Sequence, residues 1–135
     1  MRVVKTKIPP SNERFSRIGR YKSGCVYVVE LTNGHIKAGM SRNPIHRMRC
    51  LSETFRGSAV DISRFHLGPD LIKRSPAAAE SLLLSSLAAV ASIVSGREVF
   101  RGIEFEKAVG LVESVSAQVM ASKPSPRRRK IAEAA

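Results

Sequence analysis

The spacing of hydrophobic and polar positions changes several times along the chain, and each change predicts an element. Gly24 to Leu31 (GCVYVVEL) is a β-branched and aromatic run with strong strand character. Asn33-Gly34 follows it, the favoured pair for a tight hairpin turn because both residues tolerate positive φ, and His35 to Gly39 forms the returning strand. Ser41-Arg42-Asn43-Pro44 then reads as a turn into a short helix, with proline in the first helical turn where its missing N–H costs nothing. On that helix Ile45, Met48 and Leu51 face inward, and Arg42 and Arg49 outward. Residues 59–67 alternate well enough for a third strand, carried by Val60, Ile62 and Phe65.

Ser75-Pro76 is an N-cap followed by proline at the first helical position, and the helix it opens runs to about Val94 and stops at Gly96. A short extended segment, Glu98-Val99-Phe100, leads to a last amphipathic helix over about 104–120, where Phe105, Ala108, Val109, Val112 and Val115 or Val119 recur at helical spacing. The sum is a small α+β domain over about 23–118, a three-stranded antiparallel sheet flanked by helices. Residues 1–22, with Pro9-Pro10 and no apolar period, read as a basic arm. Residues 119–135, with the run KPSPRRRK, read as a disordered basic tail.

Charge adds a partner to this picture. The 135 residues carry a formal net charge of +12, unevenly placed. Residues 1–22 hold seven cations against Glu13, and residues 121–135 hold five against Glu133. Residues 37–74 hold eight cations and three acids, whereas 75–120 hold three cations and five acids. Basic arms flanking a domain with one basic half suit a polyanion, because each neutralised phosphate releases counterions. Arg42, Arg49 and Arg56 in the basic half, and Arg17, Arg20 and Lys22 in the arm, are the candidate DNA contacts. Two plainer readings rest on charge alone: a solubilising surface, and RNA binding near the ribosome.

Composition excludes other classes. Cys25 and Cys50 show no metal-ligand spacing, and Met1 to Arg20 is basic without the apolar run of a signal peptide, so reduced thiols in a cytoplasm are expected. Pro76 to Ser95 is the one stretch to weigh as a membrane span. Glu80 and several serines interrupt it, which leaves the core helix of a soluble domain. No membrane and no small-molecule cofactor is expected.

The hairpin also carries chemistry. Its sequence, CVYVVELTNGHIKAGMSRNPIHRM, resembles the GIY-YIG nuclease superfamily, whose signature is a Gly-Ile-Tyr-like triplet, a Tyr-Ile-Gly-like triplet on the next strand and an arginine on the following helix. Here the triplets are Cys25-Val26-Tyr27 and Lys37-Ala38-Gly39, and the arginine falls on Arg47, eight residues after the glycine. Glu80 matches the glutamate that completes the family's site on a later helix, and SGREVFRG (95–102) followed by a helix looks like the domain's end in phage and bacterial members. The likeness spans about residues 24–116. Cys25 stands in place of a glycine, Lys37 in place of the second tyrosine, and Leu51 where some members have a histidine. Lysine in that place occurs in a phage-associated branch often described as DNA-binding.

The resemblance implies a DNA endonuclease dependent on Mg²⁺ or Mn²⁺. Glu80 would be the metal ligand, and Arg47 would hold the scissile phosphate through its planar fork. Tyr27 would orient or deprotonate the attacking water, and Lys37 would place a charge against the same phosphate. Read without the family, Tyr27 is a core tyrosine, Arg47 one of a basic face and Lys37 an exposed strand lysine. His35, His46 and His66 are surface or core residues. Glu80 is harder to dismiss: it is the only charge between Arg74 and Arg97, and it shares a helix face with Leu83, Leu84 and Leu87, where a carboxylate needs a metal or an arginine. Glu98, beside Phe100, reads as packing against the last helix. The alternative function is a DNA-binding or regulatory protein that kept the fold and lost turnover.

Overall fold

A computed structural model describes residues 3–5, 21–55 and 59–124. Its elements are β1 (Val3–Lys5), β2 (Cys25–Leu31), β3 (Ile36–Ser41), α1 (Pro44–Phe55), β4 (Ile62–Leu67), α2 (Pro76–Val90), β5 (Ser92–Ser95), β6 (Val99–Arg101) and α3 (Phe105–Met120). The α+β class stands, but the sheet is wider than the three strands expected. Five strands pair antiparallel in the order β4-β2-β3-β6-β5, and β1 adds a sixth outside β4. The extra strands come from two segments read otherwise. Val3–Lys5, assigned to the arm, pairs with Phe65 to Leu67. Ser92–Ser95, assigned to the end of a helix, pairs with β6.

The early end of α2 has a physical cause. A glycine with positive φ marks either a helix C-terminus or a hairpin turn. Gly96 (φ 56°) serves the hairpin between β5 and β6, while α2 already stops at Val90, with Ala91 in extended conformation donating its N–H to the Leu87 carbonyl. The start of α2 is as expected: the Ser75 hydroxyl accepts the Ala78 N–H at 3.2 Å and Pro76 leads the first turn.

The first hairpin closes differently from a two-residue turn. Only Gly34 takes positive φ (87°). Gly34 N–H bonds the Leu31 carbonyl and Leu31 N–H bonds the His35 carbonyl, both at 2.8 Å, so Thr32-Asn33-Gly34 make a three-residue loop with its left-handed residue last. Asn33 Oδ1 accepts the His35 N–H at 3.0 Å.

β2 is central, buried on both faces, and its alternation divides the core. Cys25, Tyr27, Val29 and Leu31 meet Met48 and Leu51 of α1, with Ile62, Phe65 and Leu67 of β4. Val26 and Val28 face the other way, onto Ala79, Leu83 and Leu87 of α2 and Phe105, Ala108, Val112 and Val115 of α3. Two polar contacts seat α3: buried His66 lies 2.8 Å from the Glu113 carboxylate, and Arg64 bonds Glu30 and Glu106 while standing 4.5 Å over the Phe105 ring. No helix of the described residues is long and apolar enough to cross a membrane.

The entry to β2 is fixed by Asp70, whose carboxylate accepts the backbone N–H groups of Lys22, Ser23 and Gly24 at 2.6, 2.9 and 3.0 Å. Gly24 itself (φ 112°) presses against the backbone of Ser41 and Arg42, which leaves no room for a side chain.

Candidate active site

Four elements carry the four residues singled out by the sequence: Tyr27 on β2, Lys37 on β3, Arg47 on α1 and Glu80 on α2. The fold brings them together. Tyr27 pairs across the hairpin with Gly39, and the tyrosine ring lies over that glycine, so that a Cβ there would fall 2.5 Å from the hydroxyl and 2.8 Å from Cζ. The ring reaches α1, where Arg47 Nε donates to the Tyr27 hydroxyl at 2.9 Å. Arg47 is placed to do so by the start of its helix, where Asn43 Oδ1 accepts the His46 N–H and the Asn43 carbonyl accepts the Arg47 N–H.

Lys37 sits two residues from Gly39 on the same strand face. Its ammonium donates to Glu98 Oε1 at 2.9 Å, and the side chain is only 13% exposed. Glu98 therefore belongs to the site and not to the packing of α3. Strand alternation misplaced it because β6 begins at Val99; Glu98 lies in the preceding turn, where its carboxylate swings toward Lys37. The Glu98 carbonyl also accepts the Ala38 N–H at 2.8 Å, the last rung between β3 and the β6 hairpin.

Beyond that rung β3 has no β6 partner, and Glu80 enters there. The Met40 backbone N–H, two residues on along the edge that β6 has left, faces its carboxylate. Burial is the main influence on Glu80 and raises its pKa, with Glu98 pushing the same way. Lys37, Arg47 and the Met40 N–H pull it down. Tyr27 is likewise raised, first by burial, against the hydrogen bond and charge of Arg47, so the phenol keeps its proton at neutral pH. Arg47 is raised, chiefly by its bond to Tyr27, and stays charged. Two cations thus face two carboxylates.

The expected nucleic-acid contacts are more dispersed. Lys22 is exposed just before β2 and Arg42 just after β3, at the open end of the hairpin. Arg49 is not wholly outward: it is half-buried, and its Nε is enclosed without a hydrogen-bond partner among the described residues. Arg17, Arg20 and Arg56, most of the arm and all of the tail beyond residue 124 lie outside the described residues. Cys25 and Cys50 are free thiols.

A divalent metal was expected on Glu80. Among the described residues no three His, Cys, Asp or Glu side chains gather as a metal cage. The arrangement at Glu80 is a different one: a half-buried carboxylate with one backbone donor, free lone pairs and a second carboxylate nearby. That suits a hard cation that keeps most of its waters. Compared with protein-family models, curated proteins and solved structures, the chain matches none of them.

Proposed function

We propose that the protein is a DNA-binding endonuclease of GIY-YIG type that hydrolyses phosphodiester bonds with a divalent cation. The observation that carries the reading is the convergence of Tyr27, Lys37, Arg47 and Glu80, residues spread over 54 positions of sequence, on one sheet edge. Their order and spacing resemble that superfamily, and the charge of +12 supplies the affinity for a polyanion.

Each residue then has a task. Arg47 spends its Nε on Tyr27, which fixes the guanidinium plane and leaves the two terminal nitrogens to hold phosphoryl oxygens. Tyr27, buried and protonated, orients Arg47 and the attacking water; deprotonating the water is a poor task for a phenol so placed. Lys37 exchanges Glu98 for a phosphate oxygen when substrate enters. Glu80 would hold Mg²⁺ or Mn²⁺, which when bound neutralises charge developing on the phosphoryl and leaving oxygens.

The test is nicking of supercoiled plasmid with Mg²⁺ or Mn²⁺ and with EDTA, beside Glu80→Gln, which keeps an acceptor for Met40. Metal-dependent nicking lost in the variant, with DNA binding retained, is the expected result. Nicking unchanged in the variant removes Glu80 from the mechanism. The second reading, a DNA-binding protein without turnover, is favoured by the Lys37–Glu98 ion pair standing where the family's second tyrosine belongs. It predicts intact plasmid that shifts on a gel without metal.

A further inference from the structure

The β5–β6 hairpin is not needed to close the apolar cluster beneath α1. That cluster draws on β2, β4 and α1, and on none of β3, β5 or β6. Among the described residues, the apolar cluster next to the site thus does not extend over the β6 side of that sheet face. Alternation puts Arg101 on that face with Lys37, since Lys37 pairs with Val99 and Arg101 follows two residues later. Arg101 is exposed.

The hairpin tip makes a second, independent observation. Gly96 and Arg97 are its two central residues, with φ of 56° and 60°, and Glu98 N–H closes the turn on the Ser95 carbonyl at 3.1 Å. Both central positions of such a turn favour Gly, Asn or Asp. Arginine at the second is a poor conformational choice, so its presence there points to its side chain. Arg97 is exposed and joins directly to Glu98, the ion-pair partner of Lys37. Together with Arg101 it interrupts a stretch of chain, 75–120, that is otherwise acidic on balance.

We infer that the β5–β6 hairpin is a DNA-contacting arm, with Arg97 at its tip and Arg101 on its open face gripping backbone phosphates to one side of the site. The inference rests on reading the site as one for a phosphodiester backbone, and it assigns a role to the SGREVFRG segment that the four site residues leave unexplained. The strand contacts aim at phosphate and carry no base recognition, so the arm sets how the duplex lies across Lys37 and Arg47 and not which sequence is bound.

The experiment measures binding of the full chain to a fluorescent DNA duplex by anisotropy at several salt concentrations, for wild type, Arg97→Asn, Arg101→Gln, the double variant and Lys107→Gln. Lys107 is exposed on α3, across the sheet from the site. Asparagine suits the left-handed turn, so Arg97→Asn should melt no lower than wild type. One lost phosphate contact removes about 0.9 from the salt slope, which is roughly eight-fold in affinity at 0.1 M salt. The expected result is that loss for each arm variant, about sixty-fold for the double variant, and none for Lys107→Gln. Wild-type binding with unchanged affinity and slope in both arm variants overturns the arm while leaving the nuclease reading in place. No salt-dependent binding by wild type overturns both.

Discussion

Gly39→Ala is the most direct probe of how the site is built. Gly39 has no positive φ to defend; what it preserves is space. The added Cβ would meet the Tyr27 hydroxyl at 2.5 Å and Cζ at 2.8 Å, about an ångström inside ordinary contact. The tyrosine cannot swing clear, because it is 1% exposed and packed beneath α1. Either the ring or the strand must shift, and overpacking of this kind costs about 1–3 kcal/mol. The displaced hydroxyl also loses the Arg47 Nε bond, worth roughly 1 kcal/mol more. For a domain of this size the melting temperature should fall by roughly 10–20 °C. Tyr27→Phe removes the nearest clashing atom and the same hydrogen bond, so the double variant should be little worse than Gly39→Ala alone. The assay is thermal unfolding of both single variants and the double, read as a cycle with a coupling of at least about 1 kcal/mol. A Gly39→Ala protein that melts within 2 or so degrees of wild type, or strictly additive effects, refutes the close approach of Tyr27 to Gly39.

Glu80 and the thiols give two further expectations. The pKa of Glu80 is raised in the folded chain, so its contribution to stability is present at low pH and lost as pH rises through the folded value. Glu80→Gln should therefore melt above wild type at about pH 7.5 and lose that margin near pH 4, and equal melting temperatures at neutral pH would count against a desolvated carboxylate. The Cys25 thiol is fully buried and pushed up to about 12, chiefly by burial, whereas Cys50 is only half-buried, 3.4 Å from His46 Nε2. Ellman's reagent at about pH 8 should titrate one thiol in the native protein and the second only on unfolding; two native thiols of equal rate would mean that the α1 side of the sheet is open.

What the sequence made legible follows from local physics. CVYVVEL could only be a strand, Pro44 and Ser75-Pro76 start helices wherever they stand, and the 104–120 periodicity survives as α3. Motif order and spacing singled out Tyr27, Lys37, Arg47 and Glu80 as one group, and the fold sets them on neighbouring elements. Partnership over distance was not. Nothing local says that Val3–Lys5 pairs with β4, 60 residues away, or that Ser92–Ser95 leaves the helix pattern to join β6. Glu98 was missed for the same reason: its role depends on a bond to Lys37 across 61 residues, and its own neighbourhood suggested only packing.

The two faces of the sheet are unequally clad, and Arg47 lies on the thinner side. α1 buries Pro44, Met48 and Leu51, whereas α3 buries Phe105, Ala108, Val112, Val115, Ser116 and Val119. Local opening free energy follows such anchoring, so in hydrogen exchange the amides of α1 should exchange before those of α3 or β2, and equal protection would refute the ranking. Arg47 therefore rides on a helix more lightly anchored than α3, while Tyr27, which its Nε bonds, is set in the buried central strand. One wall of the candidate site can thus give way while the strand that carries Tyr27 keeps its place, which on the proposed function would let a duplex enter or leave.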